Sequence, residues 1–142
     1  MLGGADRPLR VPRSVYDGMI VHASAALPAE AVGLLGGEGR RVSCRLPLRN
    51  VLGAGRFLAD PYAQFLALRQ LSSEGLRPLA VYHSHPGGGI RPSGDDLRFA
   101  RALPYFQVII AIGRPHHPEV EVGAYSLTDG TLREVTLDIT PE

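Results

Sequence analysis

Residues 83–96, HSHPGGGIRPSGDD, set two histidines one residue apart, follow them with a proline–glycine loop, and close on a serine and two aspartates. On a strand, side chains at i and i+2 share a face about 6.7 Å apart along the axis, so His83 and His85 can aim their imidazoles at one point while Ser84 faces the other way. Two imidazole nitrogens and one carboxylate oxygen suit zinc, and three protein ligands leave a fourth position open for water, which separates a catalytic site from a structural one. Ser93-Gly94-Asp95-Asp96 also has the S-x-x-acid form of a helix N-terminus, in which serine caps a free amide and the acids favour the helix dipole. In that first turn Asp96 is the candidate third ligand and Asp95 the dipole or solvent residue. A capping serine fixes the direction of the acid behind it, so cap and ligand are compatible. The residues alone leave two readings standing, a metal site and a plain strand, turn and helix cap.

RPLAVYHSH at 77–85 is a strand of apolar and β-compatible residues, expected to be central. Upstream, Val15, Met19, Ala23 and Leu27 recur every fourth residue and predict a helix over about 14–27 that packs on a sheet. Short strands are expected near 31–35 and 42–48 around the turn GGEGR, as a hairpin. After the glycine-bearing loop NVLGAGRFL, Asp60-Pro61 signals a helix start and Gly75 its end, with Phe65, Leu68 and Leu71 or Ser72 as the apolar stripe. A helix over about 93–102 and strands near 106–112, 120–126 and 131–138 complete the chain. This order predicts an α/β fold, a single domain with a mixed β-sheet flanked by helices.

The chain has 142 residues, the usual size of one domain. It contains no run of about 18 apolar residues and no apolar signal region near its first residues, so a cytoplasmic protein without a membrane partner is expected. Cys44 is the only cysteine, which excludes an internal disulfide and any multi-cysteine zinc site. The net charge is +1 and the arginines are scattered, leaving no electrostatic footprint for nucleic acid. All 15 basic residues are arginine. Codon bias in a GC-rich genome explains this blandly.

The spacing of His83, His85, Ser93 and Asp96 resembles the JAMM motif of the MPN+ metalloproteases at every required position. The resemblance extends to PAEAVGLLGG with Glu30, to LPLRN, to FLADP and to YHSHP, and covers about residues 11–126. It implies one JAMM/MPN+ catalytic domain over 1–142 with cytidine-deaminase-like architecture. By this resemblance His83, His85 and Asp96 bind one zinc per chain, Glu30 is the general base and Ser93 helps stabilise the oxyanion. On its own Glu30 would be read as an exposed acid after Pro28. The implied activity is that of a peptidase or isopeptidase cutting after the C-terminal Gly-Gly of a ubiquitin-like or sulfur-carrier protein. A non-catalytic MPN scaffold and a DNA-repair-associated relative are the rival expectations. For a deconjugating enzyme, freedom from lysine has a second meaning: no side-chain amine is open to the conjugation it reverses.

Overall fold

The computed structural model describes residues 7–52 and 58–142. Its elements run β1 (Leu9–Pro12), α1 (Arg13–Ala26), β2 (Val32–Glu38), β3 (Arg41–Leu48), α2 (Pro61–Ser73), β4 (Arg77–Pro86), α3 (Gly94–Ala102), β5 (Phe106–Ile112), β6 (Glu121–Thr128), β7 (Thr131–Val135) and β8 (Leu137–Thr140). The expected mixed sheet with flanking helices is present. Its strand order is β7-β6-β5-β4-β2-β3-β1-β8. β7 and β8 occupy opposite ends of that order yet are separated only by Thr136, so the sheet must curl until its ends meet. Leu9 donates its N–H to the Thr136 carbonyl at 2.9 Å, extending the β1–β8 pair to the residue that joins the two end strands.

β2, β4 and β5 are buried almost throughout, as central strands covered on both faces should be. On one face Val15, Met19 and Ala23 of α1 pack with Leu9, Ala80, Tyr82, Val108 and Ile110. On the other, Ala67 of α2 and Phe99 of α3 join Val32, Leu34 and Val81. Gly33 has a steric reason: the Tyr82 ring of the neighbouring strand lies where a Cβ would stand. β4 and β5 run parallel, which requires a crossover connection, and α3 supplies it.

Two local expectations are corrected, and one strand, β1, was not expected. The predicted strand 131–138 is two strands, since β7 pairs with β6 while β8 leaves to run parallel to β1. β1 carried no signal because four residues bounded by prolines are too short for a visible alternation. The stripe on α2 is Ala67 and Leu71, with Leu68 half-buried; Phe65 is 54% exposed. Small residues let this face approach the sheet, and the Phe65 ring lies beside the Arg69 guanidinium instead. Much of the predicted loop NVLGAGRFL lies outside the described residues.

Candidate metal centre

The site forms at the C-terminal end of β4, the end of a parallel strand where ligand crevices of open α/β sheets gather. Strand alternation puts His83 and His85 on the α2–α3 face, beyond Val81. The antiparallel register pairs Val32 with His83, and just beyond it the Ser84 N–H donates to the Ala31 carbonyl at 3.1 Å, so Glu30 emerges beside the end of β4. Ser93 caps α3: its Oγ accepts from the Asp96 N–H at 3.1 Å, and Asp96 Oδ2 accepts from the Ser93 N–H at 2.8 Å. This reciprocal box turns the Asp96 carboxylate back toward β4.

There His83 Nε2 lies 3.0 Å from Asp96 Oδ1, His85 Nε2 lies 3.2 Å from Asp96 Oδ2, and the two Nε2 atoms are 3.1 Å apart. Donor atoms around a tetrahedral zinc at about 2.0–2.1 Å stand about 3.3 Å from one another, so this spacing fits that ion closely. The donor set, two imidazoles and a carboxylate, fits as well. His85 Nδ1 lies 2.9 Å from the Gly89 carbonyl, and in the neutral ring an N–H donated there leaves Nε2 as the ligand nitrogen. That carbonyl belongs to the 86–92 loop. The Tyr125 hydroxyl donates to the adjacent Ile90 carbonyl at 2.6 Å, and the Gly87 N–H donates to the Ile112 carbonyl at 2.7 Å.

A cavity of about 510 Å³ opens over the cluster, lined among others by Glu30, His85, Arg91, Ser93 and Asp96. Asp96 is 2% exposed and His83 fully buried. Asp95 lies at the exposed rim of this cavity, outside the cluster, and pairs with Arg98 on the helix surface. Burial pushes the Glu30 carboxyl above its ordinary value; the nearby imidazoles oppose that and Asp96 reinforces it. Burial alone would also raise Asp96, but hydrogen bonds and charge from His83 and His85, with the Ser93 N–H, hold it well below the usual carboxylate range. His85 has the opposite balance: burial lowers it, while hydrogen bonds to Asp96 and Gly89 and the charges of Asp96 and Glu30 raise it further.

The structure therefore brings all five candidate residues to one crevice. Three more were not singled out by their chemistry. Asn50 hydrogen-bonds the Glu30 carbonyl at 2.9 Å, Ser84 accepts from the Ala31 N–H at 2.8 Å, and Tyr125 supports the ligand loop. Asn50 was visible only as the end of LPLRN, Ser84 only as the residue between the histidines, and Tyr125 as an ordinary strand position.

A curled mixed sheet with a His-x-His strand facing a capped aspartate defines a JAB/MPN-type domain with a candidate metal centre. The chain belongs to the prokaryotic homologs of the JAB domain, whose family model matches residues 12–125. It is 43% identical over 100 residues to the "Probable TtuB-protein conjugate cleaving protease" of Thermus thermophilus, covering 68% of this chain and 67% of that protein. A solution structure of a protein from Desulfitobacterium hafniense superposes with a TM-score of 0.81 at 29% identity, covering 94% of this chain and 93% of that one. The fold also matches a structure described as JAMM, a metalloprotease-like zinc site in the proteasome and signalosome, with a TM-score of 0.60 at 18% identity over 94% of this chain and 99% of the other.

Proposed function

We propose that this chain is a zinc-dependent peptidase that cleaves the bond after the C-terminal Gly-Gly of a ubiquitin-like or sulfur-carrier protein, in its conjugates or in tail processing. The observation that carries this reading is the convergence of His83, His85 and Asp96 donor atoms within 4.8 Å of one another. They would hold one zinc per chain. When bound, zinc supplies a Lewis acid for the scissile carbonyl and lowers the pKa of water to about 7. Glu30 takes the proton of the attacking water and passes it to the leaving amine. Its raised pKa suits both steps. The Ser93 hydroxyl accepts from the Asp96 N–H and so keeps its own proton for donation to the oxyanion.

The complete ligand cluster favours an enzyme over a scaffold. The Thermus relative, with protein conjugates named in its function, supports the substrate class. A Gly-Gly tail offers little beyond backbone, so it would lie extended beside the NVLGAGRF loop and add as a strand. One catalytic domain over 1–142, with its motif-bearing core at about 11–126, would act in the cytoplasm. Among the described residues no helix is long and apolar enough to cross a membrane.

The test uses a ubiquitin-like carrier joined through its Gly-Gly tail to a reporter peptide. Zinc-loaded wild type should release the reporter, while Glu30→Gln should leave the fusion whole. An intact fusion with both proteins would reject the substrate assignment.

A further inference from the structure

The peptide unit joining Glu30 to Ala31 is gripped at both ends by side chains from two different places in the fold. Its N–H donates to Ser84 Oγ at 2.8 Å, in a fully buried position. Its carbonyl accepts from Asn50 Nδ2 at 2.9 Å. Ser84 returns a second bond, its own N–H donating to the Ala31 carbonyl at 3.1 Å. Asn50 is itself fixed, because its Oδ1 accepts from the N–H groups of Leu52 and Leu58, each at 3.0 Å.

Glu30 needs such a grip because it precedes the first residue of β2 and follows Pro28 and Ala29 rather than lying within the ladder. Backbone bonds hold the neighbouring Ala29 N–H and Ala31 carbonyl, but the Glu30–Ala31 peptide itself takes both of its hydrogen bonds from side chains, and they set the plane from which the Glu30 carboxylate departs. Ser84 sits between His83 and His85, so any displacement of the two histidines on β4 carries the Ser84 hydroxyl along, and with it the Glu30–Ala31 peptide.

We infer that Ser84 and Asn50 are positioning residues: together they clamp the Glu30–Ala31 peptide and hold the Glu30 carboxylate in fixed register with the histidine ligands. The inference rests on the reading of Glu30 as general base. Neither side chain is among the described residues that line the cavity over the cluster. Their effect is geometric, and a general base displaced by about 1 Å can lose about 100-fold in rate.

The test compares zinc-loaded wild type, Ser84→Ala, Ser84→Thr, Asn50→Ala, the double alanine variant and Glu30→Gln on the reporter fusion. Both single alanine variants should keep one zinc per chain and wild-type KM while kcat falls about 10- to 100-fold. The double variant should lose less than the product of the singles, since both act on one peptide. Ser84→Thr, which restores a hydroxyl acceptor, should recover most of the rate. Independently of turnover, hydrogen exchange at the Ala31 amide should be slow in wild type and faster in Ser84→Ala.

Unchanged kcat in both single variants, with Glu30→Gln inactive, would overturn the clamp and leave the base assignment intact. An active Glu30→Gln would overturn the base assignment itself. Loss of zinc in Ser84→Ala would show that Ser84 supports the ligands rather than the base, which also rejects the clamp. If Ser84→Ala fails to fold, Asn50→Ala decides the question by the same split between kcat and KM.

Discussion

Ser93 and Asp96 hold each other by two reciprocal hydrogen bonds, 2.8 and 3.1 Å, and the carboxylate fixed in this way is the one that meets both imidazoles. The helix cap builds the candidate metal centre.

This double duty separates two measurable effects. Ser93→Ala should cost about 1 kcal/mol of stability, the usual loss of a side-chain cap. It should lower kcat about 100-fold, as loss of an oxyanion donor does. Thermal melting and steady-state kinetics well below the melting temperature read the two. A melting shift without a kinetic loss would confine Ser93 to capping.

The metal-free protein should show opposing pH dependences from two groups. Asp96 has a depressed pKa in the folded state, so its stabilisation is present above its unfolded value near 3.8 and is lost as pH falls through the folded one. His85 has a raised pKa, so its share is present below 6.5 and is lost as pH rises through the folded value. Urea unfolding of metal-free wild type should thus be most resistant between about pH 4 and 6.5. Asp96→Asn should flatten that maximum. A maximum that survives the substitution would assign it to other groups.

Burial of Glu30 predicts the direction in which its titration moves. In the metal-free protein burial holds the Glu30 carboxyl above the ordinary 4.5. Carboxyl titration of metal-free wild type followed by NMR, with Glu30→Gln to assign the signal, should therefore find Glu30 titrating above 4.5. A midpoint at or below that value would mean that burial does not dominate at this carboxyl.

Tyr125 tests the loop between the ligands. Tyr125→Phe removes the hydrogen bond to the Ile90 carbonyl while keeping the ring. Zinc affinity, measured by chelator competition, should weaken about 10-fold or more, the scale of losses behind metal ligands. An unchanged affinity would mean that the bond from His85 Nδ1 to Gly89 suffices to hold the loop.

Much of the centre is legible from the chain because its parts are local. The i, i+2 spacing puts His83 and His85 on one face whatever the sheet does, and the S-x-x-D box sets Asp96 from three residues away. Glu30 is different: it stands 53 positions before His83 and reaches the site only because β2, which follows it, pairs with β4, a long-range contact. Residue chemistry alone left it a surface acid, and only the family resemblance marked it. Ser84, Asn50 and Tyr125 act through single hydrogen bonds to backbone of distant segments, and such bonds leave no periodicity. The sheet closure was hidden for a similar reason, since it depends on Thr136 parting two strands that pair at opposite ends of the strand order. Phe65 misled because its size suggested burial, whereas the helix approaches the sheet through Ala67.

The most direct measurement is zinc content by elemental analysis of purified wild type beside Asp96→Ala, with circular dichroism on both. About one zinc per folded wild-type chain is expected, and its loss from folded Asp96→Ala. Folded wild type that takes up no zinc even in excess metal would contradict that expectation, and would leave His83, His85 and Asp96 as a hydrogen-bonded cluster at a helix cap.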